Sequence, residues 1–417
     1  MRPNPQVVIV GAGFGGLQCA KALRGQPVDV VLIDTQNYHL FTPLLYQVAS
    51  CLLAPSEITA PLRKVLSGAP NIRYHQGEVV DIDFTHQHVR LADGAVLEYD
   101  DLVLATGSIT NFYGNDAIET RALGLKDLGE ALQLRNHVLQ CLERATATTD
   151  PVEREQLLTF CIIGGGPTGV EYAGALAELA RLVLPREYPE LRPHEFRIVL
   201  LEGGDRLLPT FKPRLSAYTR RELERLGVDV RTDVLVASAH ATSVVTREGT
   251  EFHTATLVWT AGVQPSSVPM HPGVKHTETR RIAVDDHLHI LGVDHAYAIG
   301  DVAAEPDRKG QPLPMLATAA MQAGRYVARQ IIRGERGRRF RYFNKGTMAA
   351  IGRRAAVAQV GPIQLTGFIG WVAWLVVHLY YLIGFENRLR VLVRWGWYYV
   401  RLDRPVRAVV RANPPRE

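Results

Sequence analysis

Two glycine runs hold the residue types and the spacing of a phosphate-binding loop. The first, Gly11-Ala12-Gly13-Phe14-Gly15-Gly16, fits GxGxxG through Gly11, Gly13 and Gly16. The second, Gly164-Gly165-Gly166-Pro167-Thr168-Gly169, fits it through Gly164, Gly166 and Gly169. In such a loop the first glycine permits a tight turn and the second lets a pyrophosphate approach the backbone. The third lets the following helix pack close to the strand. The helix N-terminus then offers unpaired N–H groups and partial positive charge to the phosphates. An acid follows each loop, Asp34 in the first copy and Glu202 in the second. A carboxylate there accepts hydrogen bonds from a ribose and repels a 2′-phosphate, so Glu202 favours NADH over NADPH. Arg206, close by in sequence, works against that preference.

Chemistry of this kind needs strands and helices to hold it. Val7-Val8-Ile9-Val10 and Phe160-Cys161-Ile162-Ile163 are short apolar runs directly before the glycines, as buried parallel strands require. A helical pattern follows each, Leu17–Leu23 and Val170–Leu184. A second apolar run ends at each acid. The copies close alike, at Leu102-Val103-Leu104-Ala105-Thr106-Gly107 and Leu257-Val258-Trp259-Thr260-Ala261-Gly262. Two matching βαβ units imply two nucleotide-binding domains. A further apolar run, His295–Ile299, leads into Gly300-Asp301. An Asp at the C-terminal end of a strand faces the ligand edge of an α/β sheet, so Asp301 is placed to bind the ribityl or phosphate region of a flavin. A helix N-cap is its other ordinary use.

Composition narrows the classes. The chain has 417 residues, 47% hydrophobic and 21% charged, which calls for two or three domains and excludes a mainly disordered protein. The four cysteines, at 19, 51, 141 and 161, have no CxxC spacing, which argues against a disulfide framework or a cysteine zinc site. His86-x-His88 and His287-x-His289 lack a nearby third ligand, so no metal is expected. Net charge is +5, with 18 Lys/Arg against 4 Asp/Glu from residue 325 onward and an acidic body before it. A basic tail points to an anionic partner, membrane or nucleic acid. The long uncharged run inside the tail favours membrane, and no nucleic-acid partner is expected. The N-terminus reads as lacking an export signal, which places the body in the cytoplasm.

Together these segments resemble the two-dinucleotide-domain flavoproteins of glutathione-reductase-like fold, over residues 6–330. In that family the first domain holds FAD, an inserted domain holds NAD(P)H, and a Gly-Asp strand returns the chain to the FAD domain. The disulfide-reductase branch needs CxxxxC beside the flavin, and Cys51 has no partner at that spacing. Sulfide:quinone oxidoreductases use cysteines on both sides of the flavin, and no Cys follows Cys161 here. Asn37–Gln47 looks like the loop after the first acid in type II NADH:quinone oxidoreductases. Pro314–Gln322 resembles their AQxAxQ quinone motif. Ala317, Ala320 and Gln322 match it, while Thr318 stands where the family usually has Gln. Glu171, in GGGPTGVE, matches the glutamate that lies near the nicotinamide–flavin contact. A Glu in a helix's first turns is also favoured by the dipole alone.

The resemblance implies electron transfer from NADH through FAD to a membrane quinone, without proton pumping. It implies FAD at Gly11, Gly13, Gly16, Asp34, Gly107, Gly300 and Asp301, and NADH at Gly164, Gly166, Gly169 and Glu202. Ala317, Thr318 and Gln322 would meet the quinone, with Glu171 and Gln322 lining the active cleft. A soluble NAD(P)H-dependent reductase of a protein electron carrier remains an alternative. So does a non-enzymatic nucleotide sensor.

The tail has its own pattern. Gly367–Phe385 carries no formal charge over 19 residues. As one helix it would be about 28 Å long, close to the roughly 30 Å bilayer core, though three glycines and a histidine weaken it as a span. Next, Leu389, Leu392, Val393, Tyr399 and Val400 share one helix face, and Arg390, Arg394 and Arg401 the other, as in an interfacial helix. Four Trp and four Tyr between 371 and 399 read as headgroup-level residues. A packed dimerisation helix pair is the alternative, and a homodimer is a candidate assembly. The expected architecture is therefore α/β, with two Rossmann-like domains and a C-terminal membrane-binding helical segment. The FAD domain would be 1–112 plus 270–330, the NADH domain 113–269 and the tail 331–417, at the cytoplasmic face of the cell membrane.

Overall fold

Runs of valine, isoleucine and leucine become the central strands of two parallel sheets. The computed structural model describes residues 4–270, 273–308, 310–333, 338–401, 404 and 406–409. The chain forms two compact units, the first made of Met1–Leu40, Ala60–Ile109 and Val263–Lys345. The second is made of Phe41–Thr59, Thr110–Gly262 and Gly346–Glu417.

In the first unit five parallel strands lie in the order Ala296–Ala298, Asp101–Leu104, Gln6–Val10, Asp29–Asp34, Ile72–Gln76. The strand Gln6–Val10 is buried along its whole length, as its unbroken β-branched run requires. Because it is central, with the next strand in sequence on one side and a later one on the other, its C-terminal end is a topological switch point. The first glycine helix, Phe14–Ala22, starts there. It packs against a second helix, Ala317–Arg333, and the approach is close: a Cβ on Gly324 would overlap the Gly15 carbonyl oxygen.

The second unit repeats the plan with four parallel strands in the order Val228–Arg231, Arg197–Leu201, Thr159–Ile163, Thr256–Trp259. Its glycine helix, Pro167–Glu178, runs on through a π-helical turn, Leu179–Val183. The outer face of that helix meets a three-stranded antiparallel sheet built from Thr347–Gly352, Ala355–Val360 and Ile363–Thr366. A Cβ on Gly174 would overlap the Ile351 carbonyl oxygen, so the contact is backbone to backbone.

Three sequence expectations change. The stretch Phe41–Thr59, read from sequence as part of the FAD domain, packs in the second unit, and so does most of the tail. Within the basic tail, Thr347–Gly352 pairs with Ala355–Val360 in a hairpin that turns at Arg353-Arg354. The uncharged run does not make one 19-residue helix. It stops at Tyr381, turns at Leu382–Gly384 with Gly384 at φ 89°, and restarts as Phe385–Arg401. Among the described residues no helix is long and apolar enough to cross a membrane.

Candidate functional site

The first loop shows why each glycine is there. Gly11 sits at φ 102°, and a Cβ on it would overlap the Ala105 carbonyl oxygen. A Cβ on Gly16 would overlap the Gly11 carbonyl oxygen. At Gly13 a Cβ would meet no protein atom within 4 Å. The missing side chain there serves no packing need, so the open space suits a ligand's approach. The helix that follows has no acid in its first turn. Asp34 closes the loop, with Oδ2 accepting from the Ala12 N–H at 2.6 Å and Oδ1 from the Gln36 N–H at 2.8 Å. Burial raises the Asp34 carboxyl above the usual range, and both N–H groups oppose that shift.

Gly107 (φ 76°) and Gly300 (φ 72°) provide left-handed turns at the ends of the neighbouring strands. Asp301 lies in a short 3-10 turn, not at a helix N-cap, and accepts the Ser108 hydroxyl at 2.5 Å. His39 stands in the stretch after the first acid. It is 2% exposed, with Nδ1 3.0 Å from the Ala12 carbonyl and Nε2 without a partner. The first unit thus brings together every residue expected at FAD, with an orphaned buried nitrogen beside the loop. These residues fit a dinucleotide with a pyrophosphate.

The second loop repeats this geometry. Gly164 sits at φ 107°, a Cβ on Gly169 would overlap the Gly164 carbonyl oxygen, and a Cβ on Gly166 would meet nothing within 4 Å. Glu202 Oε2 accepts the Gly165 N–H at 2.5 Å, and Oε1 accepts the Gly204 N–H at 2.7 Å. Each carboxylate oxygen keeps a lone pair for a ribose hydroxyl. Arg206, the residue that would welcome a 2′-phosphate, points its guanidinium at the Pro209 carbonyl (3.3 Å) and the Asp205 carboxylate (3.9 Å).

Glu171 lies one turn into the second glycine helix and lines a cavity of about 40 Å³ within the second unit. Burial pushes its carboxyl up to about 8, although the Ala350 N–H, 3.1 Å from Oε1, holds it down. Two turns on, Glu178 lines the same cavity. Its carboxylate accepts from the Tyr398 hydroxyl at 2.7 Å, from Arg404 at 3.3 Å and from the Arg353 N–H. Gln47 joins them, its Oε1 accepting the Trp395 indole N–H at 2.8 Å and its amide donating to Tyr46 at 3.0 Å.

Sequence reading missed this wall. It treated the tail's four tryptophans as headgroup-level residues, yet Trp374 is 1% exposed and Trp395 4%, while Trp397 is half exposed. It placed Arg394 on a lipid-facing basic side, but Arg394 pairs with buried Glu57 at 3.3 Å. Tyr399 leaves its predicted outward face to pack on Trp371, ring centroids 4.6 Å apart.

The quinone-motif residues start the helix Ala317–Arg333, in the first unit. Thr318 shares a hydrogen bond with the Tyr342 hydroxyl at 2.9 Å. The Gln322 amide is bound at both ends by the Phe343 backbone, donating to its carbonyl and accepting its N–H, each at 3.0 Å. Glu171 and Gln322, paired by the sequence reading, therefore belong to different units.

A family profile described as pyridine nucleotide-disulphide oxidoreductase matches residues 5–324. The chain is 38% identical to the type II NADH:quinone oxidoreductase NdhA of Mycobacterium tuberculosis, covering 94% of this chain and 86% of that protein. It is 36% identical to the type II NADH:quinone oxidoreductase Ndh of the same organism, covering 94% and 87%. Among solved structures, that of NDH2 from Plasmodium falciparum in complex with NADH superposes with a TM-score of 0.90 at 21% identity, covering 98% of this chain and all of that one. The sulfide:quinone oxidoreductase of Aquifex aeolicus superposes less closely, at 0.73 and 19% identity, covering 92% and 91%.

Proposed function

This chain belongs to the type II NADH:quinone oxidoreductases, within the pyridine nucleotide-disulphide oxidoreductase family, and on that premise we propose how its own residues divide the work. Its activity is the passage of two electrons from NADH through FAD to a membrane quinone, without proton pumping. The observation that carries the reading is the pair of acid-closed glycine loops, one per unit, each with an open second glycine. Bound FAD supplies the hydride-accepting and electron-donating chemistry.

We assign FAD to Gly11, Gly13, Gly16, Asp34, Gly107, Gly300 and Asp301, and NADH to Gly164, Gly166, Gly169 and Glu202. Asp34 and Glu202 would each accept a ribose hydroxyl with the lone pairs their loop bonds leave. Glu171 keeps its proton at neutral pH, so it is suited to act as a proton donor within its own cavity. Ala317 and Thr318 would border the quinone, with the Thr318 hydroxyl as the polar contact. Gln322 acts by tying Phe343 to the start of its helix.

We also propose that the protein docks on the inner face of the cytoplasmic membrane without crossing it. The 15-residue helix Gly367–Tyr381 is about 22 Å long, shorter than the roughly 30 Å hydrocarbon core. Its outward side shows Ile369, Val376 and Tyr380, and Phe385–Arg401 shows Leu389, Val393 and Val400, all half exposed or more. Arg390 and Arg401 are exposed on the same helix, where anionic headgroups would meet them.

Anaerobic rapid mixing tests the activity. NADH should bleach the flavin, and a short-chain quinone should restore its colour. Bleaching followed by recovery only with a small redox protein would favour the soluble-reductase alternative, and no bleaching at all would favour the sensor.

A further inference from the structure

The turn that carries Asp301 has a charged support that the assignments above leave unused. Glu305 is 1% exposed, and its Oε1 accepts the Gly300 N–H at 2.6 Å. Gly300 holds a left-handed φ of 72°, so this bond fixes a conformation that the backbone has several ways to leave. The Glu305 carbonyl accepts the Leu313 N–H at 2.8 Å, and Leu313 in turn accepts Arg281 Nη1 at 2.7 Å. Arg281 is 6% exposed, and its Nε has no hydrogen-bond partner. Burial lowers the Arg281 guanidinium below its ordinary value, and the field of two carboxylates, Glu305 first and Asp301 second, opposes that loss of charge. One buried cation therefore faces two acids, and only one of those acids belongs to the flavin site.

We propose that Glu305 is a positioning residue for FAD: it holds Gly300 and answers the Arg281 charge, so that Arg281 does not claim the Asp301 carboxylate that the cofactor needs. The proposal rests on the assignment of FAD to the first unit. Its physics is a shared attraction at low dielectric. When one of two acids facing a buried cation loses its charge, the cation's pull falls on the other. Burial pushes the Glu305 carboxyl up to about 7, with Asp301 adding to that and the Gly300 N–H and Arg281 opposing it. Among the described residues, the charged groups that act on Glu305 are Arg281 and Asp301. Its charge is present above about pH 7 and lost below, so FAD should loosen as pH falls through that point.

The test is the FAD dissociation constant of the full chain, read from the fluorescence of released flavin between about pH 6 and pH 8.5. The parent should bind about tenfold more weakly at the acid end, the worth of one charged hydrogen bond. Glu305→Gln keeps an acceptor for Gly300 and removes only the charge. It should bind about tenfold more weakly at pH 8.5 and show no pH dependence. Removing the cation as well, in Glu305→Gln with Arg281→Met, should restore much of the lost affinity, which a purely structural role for Glu305 would not allow. Parent-like affinity in Glu305→Gln, or no recovery in the double variant, would overturn the proposal. If the variants do not fold, the parent alone decides, because a flat profile across this pH range contradicts it. A parent that binds no flavin overturns the cofactor assignment instead.

Discussion

The two glycine helices begin as copies and end in different surroundings. In the first unit Phe14–Ala22 is covered by another helix, Ala317–Arg333, at a Gly15–Gly324 crossing. In the second unit Pro167–Glu178 is covered by a sheet and by the tail's inward aromatic side, and its face carries Glu171 and Glu178 into a cavity. The shared half is local backbone geometry around a phosphate loop. The differing half is what each unit adds to that loop: a docked helix start in one, a buried acid wall in the other. The first follows from the same loop geometry, and on the assignments proposed above the second separates the holding of a cofactor from the holding of a proton.

The largest expected effects attack the shared half. Gly16→Val and Gly169→Val drive a side chain into a backbone carbonyl that cannot retreat, at a cost of about 3 kcal/mol or more. Thermal melts and flavin content should show the first variant misfolded or colourless. The second should be yellow but inert to NADH. Equal, mild effects in both would break the claimed equivalence of the loops.

Gly13→Ala and Gly166→Ala sharpen the same comparison, because the added methyl meets only open space. Stability should stay within about 0.5 kcal/mol of the parent. Affinity should fall on the order of tenfold, for FAD in Gly13→Ala and for NADH in Gly166→Ala. Calorimetric melts beside cofactor titrations would separate the two quantities, and a large loss of stability would mean the space is filled by protein.

Glu171 probes the differing half. Its folded-state pKa of about 8 lies above the ordinary 4.5, so ionising it in place costs stability. That cost is absent below about pH 4.5, grows as pH rises and is complete above about 8. Glu171→Gln should therefore melt several degrees above the parent at pH 9, with a smaller gap at pH 6. A gap that shrinks with rising pH would contradict the buried-acid assignment.

The smallest effects belong to the outer ridge. Ile369→Ser, Val376→Ser and Val393→Ser change exposed side chains, so the fold should be untouched. Each should lower the partition of the protein onto anionic vesicles by a factor of about three to ten, measured by flotation. No change in flotation for the triple variant would leave the ridge to another partner, such as a second copy of the chain.

What the sequence revealed follows the same division. Glycines that must adopt φ near 100° or admit a helix, and acids at strand ends, are dictated by their neighbours. Gly11, Gly16, Asp34 and their counterparts Gly164, Gly169 and Glu202 were therefore readable as a set. The cavity was not. Trp395 meets Gln47 and Arg394 meets Glu57 across most of the chain length, and no local pattern announces such pairs. The tail helix Phe385–Arg401 has two apolar sides, an outward one with Leu389, Val393 and Val400 and an inward one with Val391, Trp395 and Tyr398. A helical wheel found the first and counted the second's aromatics as membrane anchors. The helix break at Leu382–Gly384 is half legible, since Gly384 is one of the three glycines that weaken the run as a span.

The most direct test of the account is a pair of single substitutions read by one spectrum. Asp34→Ala and Glu202→Gln remove the equivalent acid from the two loops. The account predicts that Asp34→Ala purifies with little or no flavin colour. It predicts that Glu202→Gln purifies fully yellow and bleaches with NADH only at concentrations on the order of tenfold higher, with NADPH less disfavoured than in the parent. A fully yellow Asp34→Ala, or a Glu202→Gln with parental NADH response and the parental preference over NADPH, would contradict the division of cofactors between the two units.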